Sequence, residues 1–177
     1  MKLFYIAAAA LPLALSGCIV TSSKPTGKYA QIANSSFEMP ADPTKVLTRG
    51  QVTCEPGLIC PELSVDWKQT ADQLYKINID IYDKEKYDIQ KFLFIIDGQN
   101  HPYIPEFSTK YRTVPESTVI DSSNYVSVPF SFLKRLKDAE NVQLKLSTNK
   151  GEITNYLLNN GKQSNAYKLF IRRMNKT

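Results

Sequence analysis

Few side chains in this sequence are equipped for chemistry, and their spacing limits what each can do. His101 is the sole histidine and lies in Asp97-Gly98-Gln99-Asn100-His101-Pro102. A hydrolase needs an activated nucleophile and a base to activate it, so any histidine-dependent site must use His101. Asp97, Ser108 and Ser117 lie in or beside the same stretch, but no Gly-x-Ser-x-Gly elbow presents a nucleophile. A solvated loop histidine is the simpler reading. The acids Asp80, Asp83, Glu85 and Asp88 resemble a cation site only in composition. Lys84 and Lys86 sit among them, and the spacing and glycine of a calcium loop are missing. They read as the charged tip of a hairpin. The sequence has no metal-spaced His/Cys cluster and no Gly-rich phosphate loop, so no catalytic residue, metal or cofactor is assigned.

The three cysteines divide into one and two. Residues 1–18 read MKLFYIAAAALPLALSGC: Lys2 is a positive start, Leu3 to Leu15 form an uncharged apolar run, and small residues precede Cys18. The run is shorter than the ~20 residues needed to span a bilayer. Leu15-Ser16-Gly17-Cys18 resembles the lipobox of bacterial lipoproteins. The resemblance covers this signal alone and says nothing of the fold beyond it. It implies cleavage after residue 17, lipidation of Cys18 and attachment to a membrane through that lipid. Ile19 and Val20 stand where an Asp would imply retention at the inner membrane, so it implies an outer-membrane protein, facing the periplasm or the cell surface. Each buried methylene of an acyl chain contributes ~0.8 kcal/mol, and two or three chains make such an anchor effectively permanent.

In the oxidising compartment that this address implies, the remaining pair, Cys54 and Cys60, is expected to form a disulfide. Pro56-Gly57 between them supplies a turn. The 22 basic and 17 acidic side chains are spread along the chain and give a net charge of +5. That excess suits weak attraction to phosphates of an envelope, not the dense basic stripe of a nucleic-acid binder.

The elements that would position these groups follow from the apolar pattern. Residues 18–45 are rich in Ser, Thr, Pro, Gly and Asn without sustained periodicity, and read as a tether reaching on the order of 30 Å. Residues 46–177 read as one domain. Leu63, Val65 and Trp67 alternate with polar residues, as do Tyr75, Ile77, Ile79 and Ile81, giving two half-buried strands. Trp67 is expected as a core anchor. Asp83-Lys84-Glu85-Lys86 reads as a hairpin turn, and Phe92–Ile96 as a central strand covered on both faces. Asp97-Gly98 is a turn signal.

Residues 99–117, with three prolines, predict a long loop or a pair of irregular edge strands. Val119-Ile120 and Val126, Val128, Phe130 read as strands joined by a turn at Asp121-Ser122-Ser123-Asn124. Ser131 is the expected N-cap of an amphipathic helix running to about Glu140. Val142, Leu144 and Leu146 alternate with polar residues, Asn149-Lys150-Gly151 and Asn159-Asn160-Gly161 are turns, and 166–174 fits helix or strand, its caps favouring helix. About eight strands joined by tight turns predict a mainly β fold: an antiparallel β-sandwich or partly open barrel with one or two short helices.

Recognition is the remaining possibility. Tyr103, Phe107, Tyr111 and Arg112 lie in or beside the proline-rich stretch, and rigid aromatics with polar tips suit protein or glycan contacts. The leading expectation is a non-enzymatic binding or structural lipoprotein of the envelope. An envelope hydrolase using His101 is one alternative, and an inhibitor or immunity-type partner of another envelope protein is a second.

Overall fold

The structure, a computed structural model, describes residues 47–55 and 57–176. The expected signal peptide, the lipidated Cys18 and the tether lie outside the described residues. Among the described residues ten strands and two helices follow in chain order: β1 (Leu47–Gln51), β2 (Glu62–Asp66), β3 (Leu74–Asp83), β4 (Ile89–Ile96), β5 (Gln99–Tyr103), β6 (Lys110–Thr113), β7 (Ile120–Pro129), α1 (Phe130–Lys137), β8 (Val142–Thr148), β9 (Gly151–Asn159), β10 (Lys162–Gln163) and α2 (Asn165–Met174). They form two five-stranded sheets, β1-β2-β3-β7-β6 and β10-β9-β8-β4-β5, in which every pairing is antiparallel. Neither sheet closes on itself, so the sandwich expected from the sequence is the architecture and the barrel is not.

Alternation along the strands builds the core. Ile77, Ile79, Ile81, Val126 and Val128 of the first sheet are buried, as are Phe92, Phe94, Ile96, Leu144 and Leu146 of the second. The two helices close one end together. Phe132, Leu133 and Leu136 are the buried residues of α1, and the Tyr167 hydroxyl of α2 donates to the Leu136 carbonyl at 2.8 Å. Ser164 caps α2 by accepting from the Tyr167 N–H, so the caps that favoured a helix at 166–174 decided correctly. Trp67 stacks on Phe170 and meets Tyr75 edge-on, a core anchor as expected. Gly50 is needed because a Cβ there would stand 2.7 Å from the backbone nitrogen of Ala166, which lets α2 lie directly against β1.

Several expectations change. Asp83–Lys86 is no hairpin turn: β3 pairs with β2 and β7 and β4 with β5 and β8, so this stretch carries the chain from one sheet to the other. Asp121-Ser122-Ser123-Asn124 is no turn either, but the first half of the long strand β7. Polar composition suggested a turn; buried hydrogen bonds make a strand possible. Ser122 Oγ accepts from the Tyr87 N–H, and Asn124 Nδ2 donates to the carbonyls of Ile89 and Phe107 and to Thr109 Oγ1. Phe92–Ile96 is interior to its sheet but covered on one face only. Leu93 and Ile95 are half-buried on the outer face, beside Lys145, Gln143, Asn100 and Pro102. α1 starts one residue earlier than expected, with Pro129 at its N-cap and no side-chain cap, and ends at Lys137. Asp97 and Gly98 turn with φ of 48° and 81°, the left-handed pair that a tight hairpin prefers.

Candidate functional site

Two surfaces gather the polar and aromatic side chains that folding alone does not consume. The first is the flank where β6 and β5 form the edges of their sheets and residues 104–109 cross between them. The stretch 99–117 is thus the pair of edge strands anticipated as one reading of it. All four residues of β6 are exposed, and β6 bonds to β7 on one side only. Ile104 is 76% exposed and Phe107 57%, while Tyr111 is also open to solvent. Phe107 leans on Tyr125 with ring centroids 5.9 Å apart, and the Lys86 ammonium lies 5.2 Å over the Tyr111 ring. Burial and Asp88 raise the Tyr111 hydroxyl above its ordinary pKa. A shallow groove of about 280 Å³ runs beside this crossover, between Asp88–Gln90 and Pro105–Ser108.

The residues proposed for recognition therefore separate. Phe107, Tyr111 and Arg112 stand on this flank. Tyr103 does not join them: it lies in β5 with its ring edge-on to Phe94 and Phe132, part of the packing under α1. Ile104, the most exposed of the large apolar residues among those described, is not aromatic and was not singled out from sequence; its position beside Pro105 was the available signal.

The second surface is the outer face of the first sheet. Pairing places Glu62 opposite Asp80 and Tyr82 opposite Asp121, with Arg112 of β6 opposite Asp121 on its other side. Arg49 reaches from β1 across β2. Its Nε donates to Glu62 Oε2 at 2.6 Å, and its terminal nitrogen meets the Tyr82 hydroxyl and lies 3.6 Å from Asp80. Arg112 donates to Asp121 Oδ2 at 2.9 Å. Burial pushes the Glu62 and Asp121 carboxyls above their ordinary range despite these arginines, and pushes the Tyr82 hydroxyl up to about 12. Of this group only Arg112 was singled out for recognition from sequence, and Asp80 was read as part of a charged hairpin tip, because the partners meet through strand pairing.

His101 is corrected in place and in character. It sits in edge strand β5, not in a solvated loop, with its ring 5.8 Å from Phe132 and its Nε2 buried without a hydrogen-bond partner. Burial, then Arg135, lowers its pKa, so the ring is held neutral. Asp97 does not reach it: Asp97 accepts from the N–H groups of Glu140 and Asn141. Ser117 bonds to its own turn at Val114. A base with no hydroxyl or carboxylate bonded to it lacks the relay that nucleophile activation requires.

The acidic stretch Asp80–Asp88 is dispersed as well. Asp83 accepts from the Tyr87 hydroxyl, Glu85 pairs with Lys150, and Asp80 belongs to the outer face. Among the described residues no three His, Cys, Asp or Glu side chains are grouped to hold a metal ion. Cys54 and Cys60 are bonded, as expected, with Cα atoms 5.5 Å apart. Asn155 Nδ2 donates to the Ile59 carbonyl, and Thr53 exchanges backbone bonds with Tyr156, which fastens the disulfide loop to the second sheet. Among the described residues no helix is long and apolar enough to cross a membrane.

The fold and these surfaces define a two-sheet antiparallel β-sandwich with an open edge flank. Comparisons with protein-family models, with curated proteins and with solved structures find no match to this chain.

Proposed function

We propose that this protein is an outer-membrane lipoprotein whose sandwich is a non-enzymatic binding module, docking a partner protein of the envelope on the flank formed by Ile104, Phe107, Tyr111 and Arg112. One observation carries the reading: three of the four exposed large apolar residues among those described fall within Ile104–Tyr111. Exposed apolar side chains that cluster, rather than scatter, mark interaction surfaces. Ile104 and Phe107 offer carbon surface without donors or acceptors, which favours a protein partner over a glycan. Arg112 and Lys110 add a polar rim of the kind such interfaces carry.

The test is a photo-crosslinking residue placed at Phe107 in intact cells, with Lys162 on the opposite edge as the control site. A discrete adduct of constant mass at 107, absent at 162, is the expected result. Equal labelling at both positions, or no adduct at 107, would remove this flank as the docking surface. An inhibitor or immunity-type role would appear as a stable one-to-one complex in the same cells.

A further inference from the structure

The outer face of the first sheet carries charge that the sandwich does not need for packing. Three carboxylates, Glu62, Asp80 and Asp121, meet two guanidinium groups there, Arg49 and Arg112. Glu62 is 1% exposed and Asp121 4%. Each gives one oxygen to an arginine, Oε2 to Arg49 and Oδ2 to Arg112. The other oxygens, Glu62 Oε1 and Asp121 Oδ1, are buried with no hydrogen-bond donor. Native structures rarely leave buried carboxylate oxygens in that state, because desolvation is not repaid. The two acids lie on the strands either side of β3, which presents Asp80 and Tyr82 between them.

We propose that this cluster is a binding site for an organic cation, an alkylguanidinium or alkylammonium group, whose N–H donors fill Glu62 Oε1 and Asp121 Oδ1 beside Asp80. Geometry selects this class. Asp80 stands opposite Glu62, roughly 5 Å away, while Asp121 lies beyond β3 opposite Tyr82, so a branched group with several N–H donors is needed to serve acids on three adjacent strands. A metal ion needs every ligand oxygen within about 2.6 Å, and no such grouping of three exists among the described residues. Arg49 supplies a precedent within the chain, since its guanidinium already engages Glu62, Asp80 and Tyr82 together. Arg112 is the movable cover. Its side chain is 74% exposed and held by a single ion pair, so it can turn into solvent while a ligand enters. Arg112 is shared with the docking flank, but the acceptors of this site lie on β2, β3 and β7, and it stands without the docking reading.

Amide spectra of the isotope-labelled full chain in detergent, titrated with n-butylguanidinium chloride, test the site. The amides of Asp80, Tyr82 and Ser123 are expected to shift and saturate. Asp121→Asn should weaken binding by about tenfold, because a charged acceptor is lost. Arg112→Ala should tighten it, because the competing internal cation is gone. Asp80→Asn, at a position that tolerates an isosteric amide on the sheet face, should also weaken binding and serves if Asp121→Asn does not fold. Shifts reproduced by sodium chloride or tetramethylammonium would overturn the proposal, since neither donates an N–H. Tighter saturation by calcium chloride, or unchanged affinity in both carboxylate variants, would overturn it too.

Discussion

Glu62 illustrates how one residue turns a sheet face into something more than a surface. Its strand position points it away from the core, yet it is buried, and burial raises its carboxyl even with Arg49 bonded to it. Asp121 is raised for the same reason, with Asp80 adding to the effect. The folded state thus keeps these protons to higher pH than the unfolded chain. Their contribution to stability is fully present below the ordinary carboxylate pKa and is lost as pH rises through the raised folded values. Denaturant titrations from pH 4 upward should show stability falling across that window, and Glu62→Gln should make the fall shallower. Equal slopes for wild type and variant would show that Glu62 does not titrate this way. None of this was legible in Glu62 itself, whose neighbours in sequence are Pro61 and Leu63. It became visible only when β2 was laid against β1 and β3.

Among the elements, β7 departs most from what its sequence suggested. Its first half, Ile120-Asp121-Ser122-Ser123-Asn124, has the composition of a turn, but it pairs with β3 and β6 along its length. Asn124 makes this possible by bonding the chain at Ile89, at the start of β4, and at Phe107 and Thr109, in the crossover that leads to β6. Asn124→Ala should therefore cost roughly 2–3 kcal/mol, because buried carbonyls lose their donor. Ser123→Ala, facing out of the same strand, should cost less than about 0.5 kcal/mol. Urea unfolding of the two variants measures the contrast, and similar costs would mean that Asn124 is not the tie it appears in the hydrogen-bond pattern. Elements whose signal is local were read correctly: β3 by its isoleucine alternation, α2 by Ser164, and the Asp97-Gly98 turn by its dipeptide. The Asp83–Lys86 turn was misread because a crossover between sheets and a hairpin share the same short polar sequence.

At the scale of the whole molecule the sandwich has two unlike flanks. On one, α2 lies against β1 and the disulfide loop is fastened to β9. On the other, β5 and β6 leave their edges open, and there the exposed Ile104, Phe107 and Tyr111 gather. If the lipobox reading of Cys18 is correct, the wild type should take up an alkynyl fatty acid in cells while Cys18→Ala does not, and equal labelling would sink the anchor. Such an anchor would hold the open flank close to a membrane and raise its effective concentration toward partners confined there.

By itself the sequence determined what depends on neighbours along the chain: strand periodicity, turn dipeptides, the helix cap, the likeness of residues 15–18 to a lipobox, and the pairing of the cysteines left once Cys18 is set aside. The tertiary structure decided what depends on neighbours across it. It set the assignment of strands to two sheets, the withdrawal of Tyr103 into packing, the neutral and unpartnered His101, and the meeting of Arg49, Glu62, Asp80, Tyr82, Asp121 and Arg112 on one face. The physical reason is that a strand carries its side-chain alternation within itself, whereas its partners and register are settled by pairing between residues distant in the chain.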